Sequence, residues 1–156
     1  KIIKDLKAAR SSVSISSDFI VGFPGETEAD FEETISLVDE VNFDGSFSFM
    51  YSPRPGTPAA ALPNHVPLNV KKDRLARLQA KLSKNALRYN QLMVGNEYEV
   101  FVEGLSKKDS SKLSGRTSNN KVVNFDGQER LIGHTVNIRM IEALPNSLRG
   151  EVITRD

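Results

Sequence analysis

The 156-residue sequence predicts an α/β segment followed by an all-β segment that closes into a small five-stranded antiparallel barrel. Three observations carry this. Between Val13 and Tyr51 two apolar runs flank one amphipathic helical pattern, the strand–helix–strand order of a βαβ unit. A long helical pattern then stops at Gly95. Beyond Gly95 the apolar residues alternate in five short runs over about sixty residues, and closure is how so small a set of strands avoids exposed edges.

Each element has its own local signal. Ile2, Ile3, Leu6 and Ala9 stand at helical spacing, so Lys1 to Arg10 reads as the end of a helix. Lys1 opens that stretch without Met, and the natural N-terminus is expected to lie elsewhere. Val13 to Phe23 reads as a strand whose apolar residues occupy both parities near its end, as a strand buried on both faces requires. Gly22-Phe23-Pro24-Gly25 breaks it, Thr27 offers an N-cap, and Asp30 stands at the capping-box position. Phe31, Ile35, Val38 and Val41 give the helix one apolar stripe, with Glu28, Glu32, Glu33, Asp39 and Glu40 mostly outside it. Asn42 to Gly45 ends this helix, and Ser46 to Tyr51 is the second strand. Pro53 to Pro67, with five prolines, is an extended connector. Leu75, Leu78, Leu82, Ala86, Tyr89 and Leu92 then recur at three- and four-residue steps, predicting one buried stripe on a helix from about Asn69 to Val94. In the β segment Tyr98, Val100 and Val102 alternate, as do Val136, Ile138 and Met140. Between them lie Leu113–Thr117 and Lys121–Phe125, joined by a turn at Ser118-Asn119-Asn120, and Leu148–Ile153 closes the set. The domain boundary falls at Gly95, giving residues 1–94 and 95–156.

Composition narrows the chemistry. At 38% hydrophobic and 26% charged the chain is of globular type, without a membrane-length apolar run or a secretory pattern. A cytoplasmic protein with no membrane partner is expected. The absence of cysteine removes disulfides, thiolate metal sites and cysteine nucleophiles from this chain, and His65 and His134 alone are too few for a histidine metal cluster. No catalytic residue and no metal ligand is therefore assigned. The net charge of +1 hides a partition: residues 1–60 carry five Lys/Arg against ten Asp/Glu, residues 61–90 seven against one, and residues 91–156 nine against nine.

Four places could carry function. The turn around Gly22, Pro24, Gly25 and Glu26 follows a strand, where ligands of open α/β sheets bind, and its glycines permit a close backbone approach. No Gly-Lys-Ser/Thr follows, so it is not a Walker-type phosphate loop, and a tight packed βα turn fits the same pattern. In Tyr51-Ser-Pro-Arg-Pro-Gly-Thr-Pro58, Arg54 is held between prolines, which preorganises a guanidinium for a carboxylate or phosphate; a solvated surface loop is the alternative. Arg74, Arg77, Lys81, Lys84 and Arg88 repeat along the long helix, either as a phosphate-tracking stripe or, with better warrant, as a solvated face or a partner for the acidic helix. Lys107, Lys108, Lys112, Arg116 and Lys121, opposed only by Asp109, mark a basic loop and strand that suit RNA as well as they suit plain solubility. Gly104 and Ser106–Ser111 read there as an exposed, flexible loop, and Phe125 is a possible base-stacking residue or a core residue.

Taken in order, Val21-Gly-Phe-Pro-Gly-Glu-Thr27, Tyr51-Ser-Pro-Arg-Pro-Gly-Thr-Pro-Ala59 and Gly115-Arg-Thr-Ser-Asn-Asn-Lys-Val-Val-Asn-Phe125 resemble the radical-SAM tRNA methylthiotransferases. The first stretch is shared widely among radical-SAM enzymes and the second is much narrower. The third resembles the TRAM domain of the branch acting on isopentenylated adenosine beside the anticodon, with support from Glu103–Lys108 and Glu142–Gly150. The resemblance covers essentially the whole chain. It implies that residues 1–94 are the C-terminal part of a radical-SAM partial (β/α) barrel with its closing helix, and that residues 95–156 are a TRAM barrel that holds tRNA. It also implies S-adenosylmethionine (SAM) and two 4Fe-4S clusters in the complete enzyme. Gly22, Pro24, Gly25, Glu26, Tyr51 and Arg54 would then contact SAM, while Lys107, Lys108, Lys112, Arg116, Asn120 and Lys121 would contact tRNA. The cluster cysteines are absent, so a C-terminal fragment, inactive by itself, is the expectation, with self-association through the unfinished barrel. The competing reading is a non-catalytic RNA-binding barrel protein. A relative acting on a ribosomal protein or on threonylcarbamoyl-adenosine tRNA is disfavoured by the barrel sequence.

Overall fold

A computed structural model describes residues 1–153. The chain forms two compact units, Lys1–Asn85 and a second beginning at Ala86.

The first unit contains α1 (Ile2–Ala9), β1 (Asp18–Val21), α2 (Glu28–Val41), β2 (Phe47–Met50), a 3-10 turn (Pro58–Ala61) and the first part of α3 (Leu68–Met93). β1 and β2 pair in parallel, with Asp18 opposite Phe47 and Val21 opposite Met50. The α2 N-terminus is a complete capping box: Thr27 Oγ1 accepts from the Asp30 amide at 3.2 Å, and the Thr27 amide donates to Asp30 Oδ2 at 2.8 Å. That backbone bond, helped by the Thr27 hydroxyl, holds the Asp30 carboxyl below the usual carboxylate range. Asn42, in the left-handed region at φ 54°, ends the helix. Phe31, Ile35, Val38 and Val41 pack with Phe19, Val21, Phe43, Leu78 and Leu82, as the apolar stripe predicts.

Two expectations change here. The first strand is four residues long and buried on one face only. Phe19 and Val21 face the helices, whereas Ile20, Phe47 and Phe49 are exposed, Phe47 at 70%. Both parities are apolar because both faces of the pair are apolar, yet a single helical layer covers one of them. On α3, Leu78 and Leu82 are buried but Leu92 is 67% exposed and Met93 is buried instead. Leu78 and Leu82 belong to the core of the first unit, whereas Met93 packs into the barrel core of the second, so the expected single stripe is two separate packings.

The second unit is a closed barrel of β3 (Glu97–Leu105), β4 (Leu113–Thr117), β5 (Val122–Asp126), β6 (Thr135–Leu144) and β7 (Ser147–Val152), in the ring order β3-β4-β5-β7-β6. Five strands were expected, and five close. Four neighbouring pairs are antiparallel, but β5 and β7 run parallel. Directions cannot alternate around a ring with an odd number of strands, so one parallel pair is the geometric minimum. The connection from β5 to β7 passes through β6, which supplies the crossover that a parallel pair needs. Val100, Val102, Leu113, Val123, Phe125, Ile138, Met140 and Leu148 fill the interior with Met93.

So narrow a barrel leaves no space at some inward positions. A Cβ on Gly115 would lie 2.4 Å from the Phe101 carbonyl oxygen, and one on Gly150 would lie 2.2 Å from Ile138 Cγ2. Gly104, where β3 carries a register irregularity, faces open space. Gly115→Ala is therefore expected to destabilise the barrel by about 1–3 kcal/mol. Gly104→Ala should stay within about 0.5 kcal/mol of the parent. Chemical denaturation of both variants checks this, and equal midpoints would contradict the packing argument.

Candidate functional sites

In the first unit the chain turns sharply after β1. Gly22 and Gly25 adopt φ of 75° and 88°, a region that other residues enter at a cost. At Gly22 there is a second reason for glycine, because the stem of Lys71 occupies the space of a Cβ. The Gly22 amide donates to Glu26 Oε1 at 2.9 Å, the Glu26 amide donates to the Phe23 carbonyl at 2.9 Å, and the Gly25 amide donates to the Asn64 carbonyl at 2.9 Å. Arg74 of α3 closes the assembly. Its Nη1 donates to Glu26 Oε1 at 2.7 Å and to the Glu26 carbonyl at 3.1 Å, and its Nε donates to Glu28 Oε2 at 3.2 Å.

Beside the turn lies a groove of about 670 Å³ lined by Asp18, Ile20, Phe49, Tyr51, Arg54 and Thr57, among others. Its walls are mainly apolar. The Tyr51 hydroxyl is buried and has no hydrogen-bond partner, while Arg54 is exposed and has no carboxylate partner among the described residues. Tyr51 is held from outside the groove: its amide donates to the Val21 carbonyl at 2.8 Å, Lys71 Nζ donates to its carbonyl at 3.1 Å, and the Phe23 ring meets its ring edge-on at 5.2 Å. An apolar wall and an unpaired guanidinium suit a ligand with an aromatic or aliphatic body and a carboxylate.

Of the six residues picked from the sequence, Tyr51 and Arg54 line this groove. Gly22, Pro24, Gly25 and Glu26 do not, and the Glu26 carboxylate is committed to Gly22 and Arg74. Asp18 and Ile20 were missed. The alternation Asp18-Phe19-Ile20-Val21 was the signal that could have found them, because it places them on the face opposite Phe19 and Val21.

The basic face of α3 is turned to the acidic helix. Arg77 bonds Glu28 and Glu32, and Lys81 bonds Asp39. The hydrogen bond from Arg77, supported by Arg74, holds the Glu28 carboxyl below the usual carboxylate range despite some desolvation. For Arg74, Arg77 and Lys81 the partner is thus α2, and the phosphate-tracking reading is set aside.

On the barrel the five cations separate into two kinds. Lys112 Nζ contacts both oxygens of Asp126, at 2.9 and 3.1 Å. Arg116 Nε lies 3.2 Å from Glu103 Oε1, and its Nη1 donates to Asn120 Oδ1 at 2.9 Å. Asn120 is fixed by its place in the β4–β5 turn, at φ 63° with its amide donating to the Thr117 carbonyl at 2.9 Å. Lys121 follows it, partly buried, its amide donating to Thr117 Oγ1 at 3.0 Å. Lys107 and Lys108 are exposed, and neither has an ion-pair partner among the described residues. Their neighbour Asp109 is occupied, since the Ser111 hydroxyl and amide donate to it at 2.6 and 3.0 Å and hold its carboxyl below the usual range. The sequence set only Asp109 against the five cations, but pairing across strands adds Glu103 and Asp126. The loop is also more closed than expected: Ser106 is buried, with its amide on the Lys112 carbonyl at 2.8 Å. Phe125 is fully buried in the barrel core and cannot stack on a base. The outward aromatic is Phe101, opposite Arg116 on the β3–β4 ladder.

No helix among the described residues is long and apolar enough to cross a membrane. Residues 91–153 match the model of the TRAM domain, which encloses all five barrel strands. Over 154 residues, 99% of this chain and 34% of the relative, the sequence is 58% identical to a tRNA-2-methylthio-N(6)-dimethylallyladenosine synthase of Alkalilimnicola ehrlichii. Synthases of the same name from Francisella tularensis subsp. novicida and Francisella philomiragia are 58% identical over 151 residues, 97% of this chain and 34% of each relative. The chain thus spans about a third of the length of the curated relatives it matches. Over nearly its whole length the chain is thus similar to tRNA-2-methylthio-N(6)-dimethylallyladenosine synthases, and its residues 91–153 are a TRAM domain.

Proposed function

We propose that this chain works as part of a radical-SAM tRNA methylthiotransferase that adds a methylthio group to isopentenylated adenosine beside the anticodon. Its first unit would contribute part of the SAM pocket and its barrel would grip the tRNA. The observation that carries the reading is 58% identity, over 99% of the chain, to synthases named for that product.

The chain's own residues then have limited tasks. Arg54 would bind the carboxylate of SAM, and Ile20, Phe49 and Tyr51 would pack against its apolar surface. When bound, SAM supplies the methyl group that is transferred. The residues present do not fit an iron–sulfur cluster, because the chain has no cysteine and no group of three metal-ligating side chains occurs among the described residues. The reading accordingly assigns both clusters to a portion outside this chain, and the chain by itself would be inactive. An absence of cysteine also suits a non-catalytic RNA-binding barrel protein. The two readings part on SAM.

On the barrel, Lys107 and Lys108 are exposed cations without an ion-pair partner among the described residues and so are open to phosphate, with Arg116 and Asn120 held ready by each other. Contacts to phosphates release counterions, so tRNA affinity should fall with salt. Lys107→Glu with Lys108→Glu is expected to weaken tRNA binding by the whole chain and to flatten the log–log salt dependence by roughly one unit per lost contact. The melting temperature should hardly change, since both side chains are exposed. Superimposable isotherms for variant and parent across a salt series would return this loop to a solubilising role.

Arg54→Ala is expected to lower the affinity of the chain for SAM by about 2 kcal/mol, the scale of a hydrogen bond to a charged group. Isothermal titration measures it. Unchanged affinity would remove Arg54 from the site and favour the non-catalytic reading.

A further inference from the structure

Arg74 is only 5% exposed, yet it carries a charge. Burying an ion pair is a weak way to gain stability, because desolvation opposes the Coulomb term and well-packed apolar residues do as well. What the pair does provide is geometry. The guanidinium lies against the Phe31 ring, 5.7 Å from its centroid, and the short Nη1 contact to Glu26 Oε1 fixes that oxygen where the Gly22 amide also donates to it. A second Nη1 contact fixes the Glu26 carbonyl, while the Glu26 amide holds the Phe23 carbonyl. Phe23 in turn abuts Tyr51, which lines the groove.

We infer that Arg74 is a positioning residue for the SAM pocket: from α3 it sets the Glu26 carboxylate, which closes the turn on Gly22 and places Phe23 against Tyr51. This rests on the proposed SAM pocket, but the two can fail separately. Arg74 touches no residue of the groove directly in this account, so its effect on a ligand must pass through the turn. It also explains the identity of Glu26, which the motif alone would assign to the ligand. An aspartate is one carbon shorter, and a neutral side chain would leave Arg74 with only the longer contact to the more exposed carboxylate of Glu28.

The double variant Arg74→Met with Glu26→Met separates positioning from stability, since it leaves no buried charge unpaired. It is expected to melt close to the parent, as replaced buried pairs commonly do. The Gly22 amide, stripped of its acceptor, should exchange with solvent faster by NMR. SAM affinity in calorimetry should fall at least about tenfold. Arg74→Lys, which keeps the charge but not the planar fork, should show both effects and serves if the double variant does not fold. Arg54→Ala should weaken SAM binding with Gly22 exchange unaltered. Parent-like Gly22 exchange or parent-like SAM affinity in the Arg74 variants, alongside a weakened Arg54→Ala, overturns the positioning role and leaves the pocket standing. If Arg54→Ala is silent as well, or the parent does not bind SAM, it is the pocket that fails, and Gly22 exchange still decides whether Arg74 holds the turn.

Discussion

A buried guanidinium must have its charge matched and its donors used within the protein. Arg74 meets that demand with the carbonyl and carboxylate of Glu26 and the carboxylate of Glu28, and much of the first unit follows from it. It requires α3 to lie where its cations reach α2, and Arg77 and Lys81 extend the same contact to Glu28, Glu32 and Asp39. The exposed pairs add little energy each, but they share one register with the buried one. Part of the acidic first sixty residues and part of the basic stretch after them therefore meet in one internal interface, and the partition of charge along the sequence does not by itself signal a nucleic acid.

A different constraint shapes the barrel. Five strands cannot alternate around a ring, so the one parallel pair, β5 with β7, is imposed by closure, and Gly150 on β7 belongs to it. Close packing inside so small a ring explains the glycines at 115 and 150 without reference to any ligand. It also explains why Phe125 is inward, and why the chemistry open to the barrel lies on its loops. There, Lys112 and Arg116 are occupied by Asp126 and Glu103, whereas Lys107 and Lys108 have no ion-pair partner among the described residues.

Local signals in the sequence were read well where the physics is local. Thr27 and Asp30 form the expected capping box, Gly95 follows the long helix, and the barrel strands lie within a few residues of the alternating runs. Signals that depend on partners distant in sequence were not legible. Nothing near Asp18 reveals that only one face of its strand would be covered, and nothing near Lys112 announces Asp126. Leu92 was misplaced because one stripe was drawn along a helix whose end packs into a second core, where Met93 is the buried residue. In the candidate site, Tyr51 and Arg54 were recognisable because prolines fix the backbone around Arg54. The role of Glu26 was not legible, since its carboxylate meets Arg74, a residue forty-eight positions away that no motif includes.

The claim that joins these parts is that the chain serves methylthiolation of tRNA. Nucleosides from total tRNA, digested and quantified by mass spectrometry, test it most directly in the organism that encodes this chain. Disruption of the gene should abolish the methylthio-isopentenyl adenosine and raise isopentenyl adenosine lacking the methylthio group, and the intact gene should restore the first. Undiminished methylthio nucleoside in the disrupted strain would contradict the account.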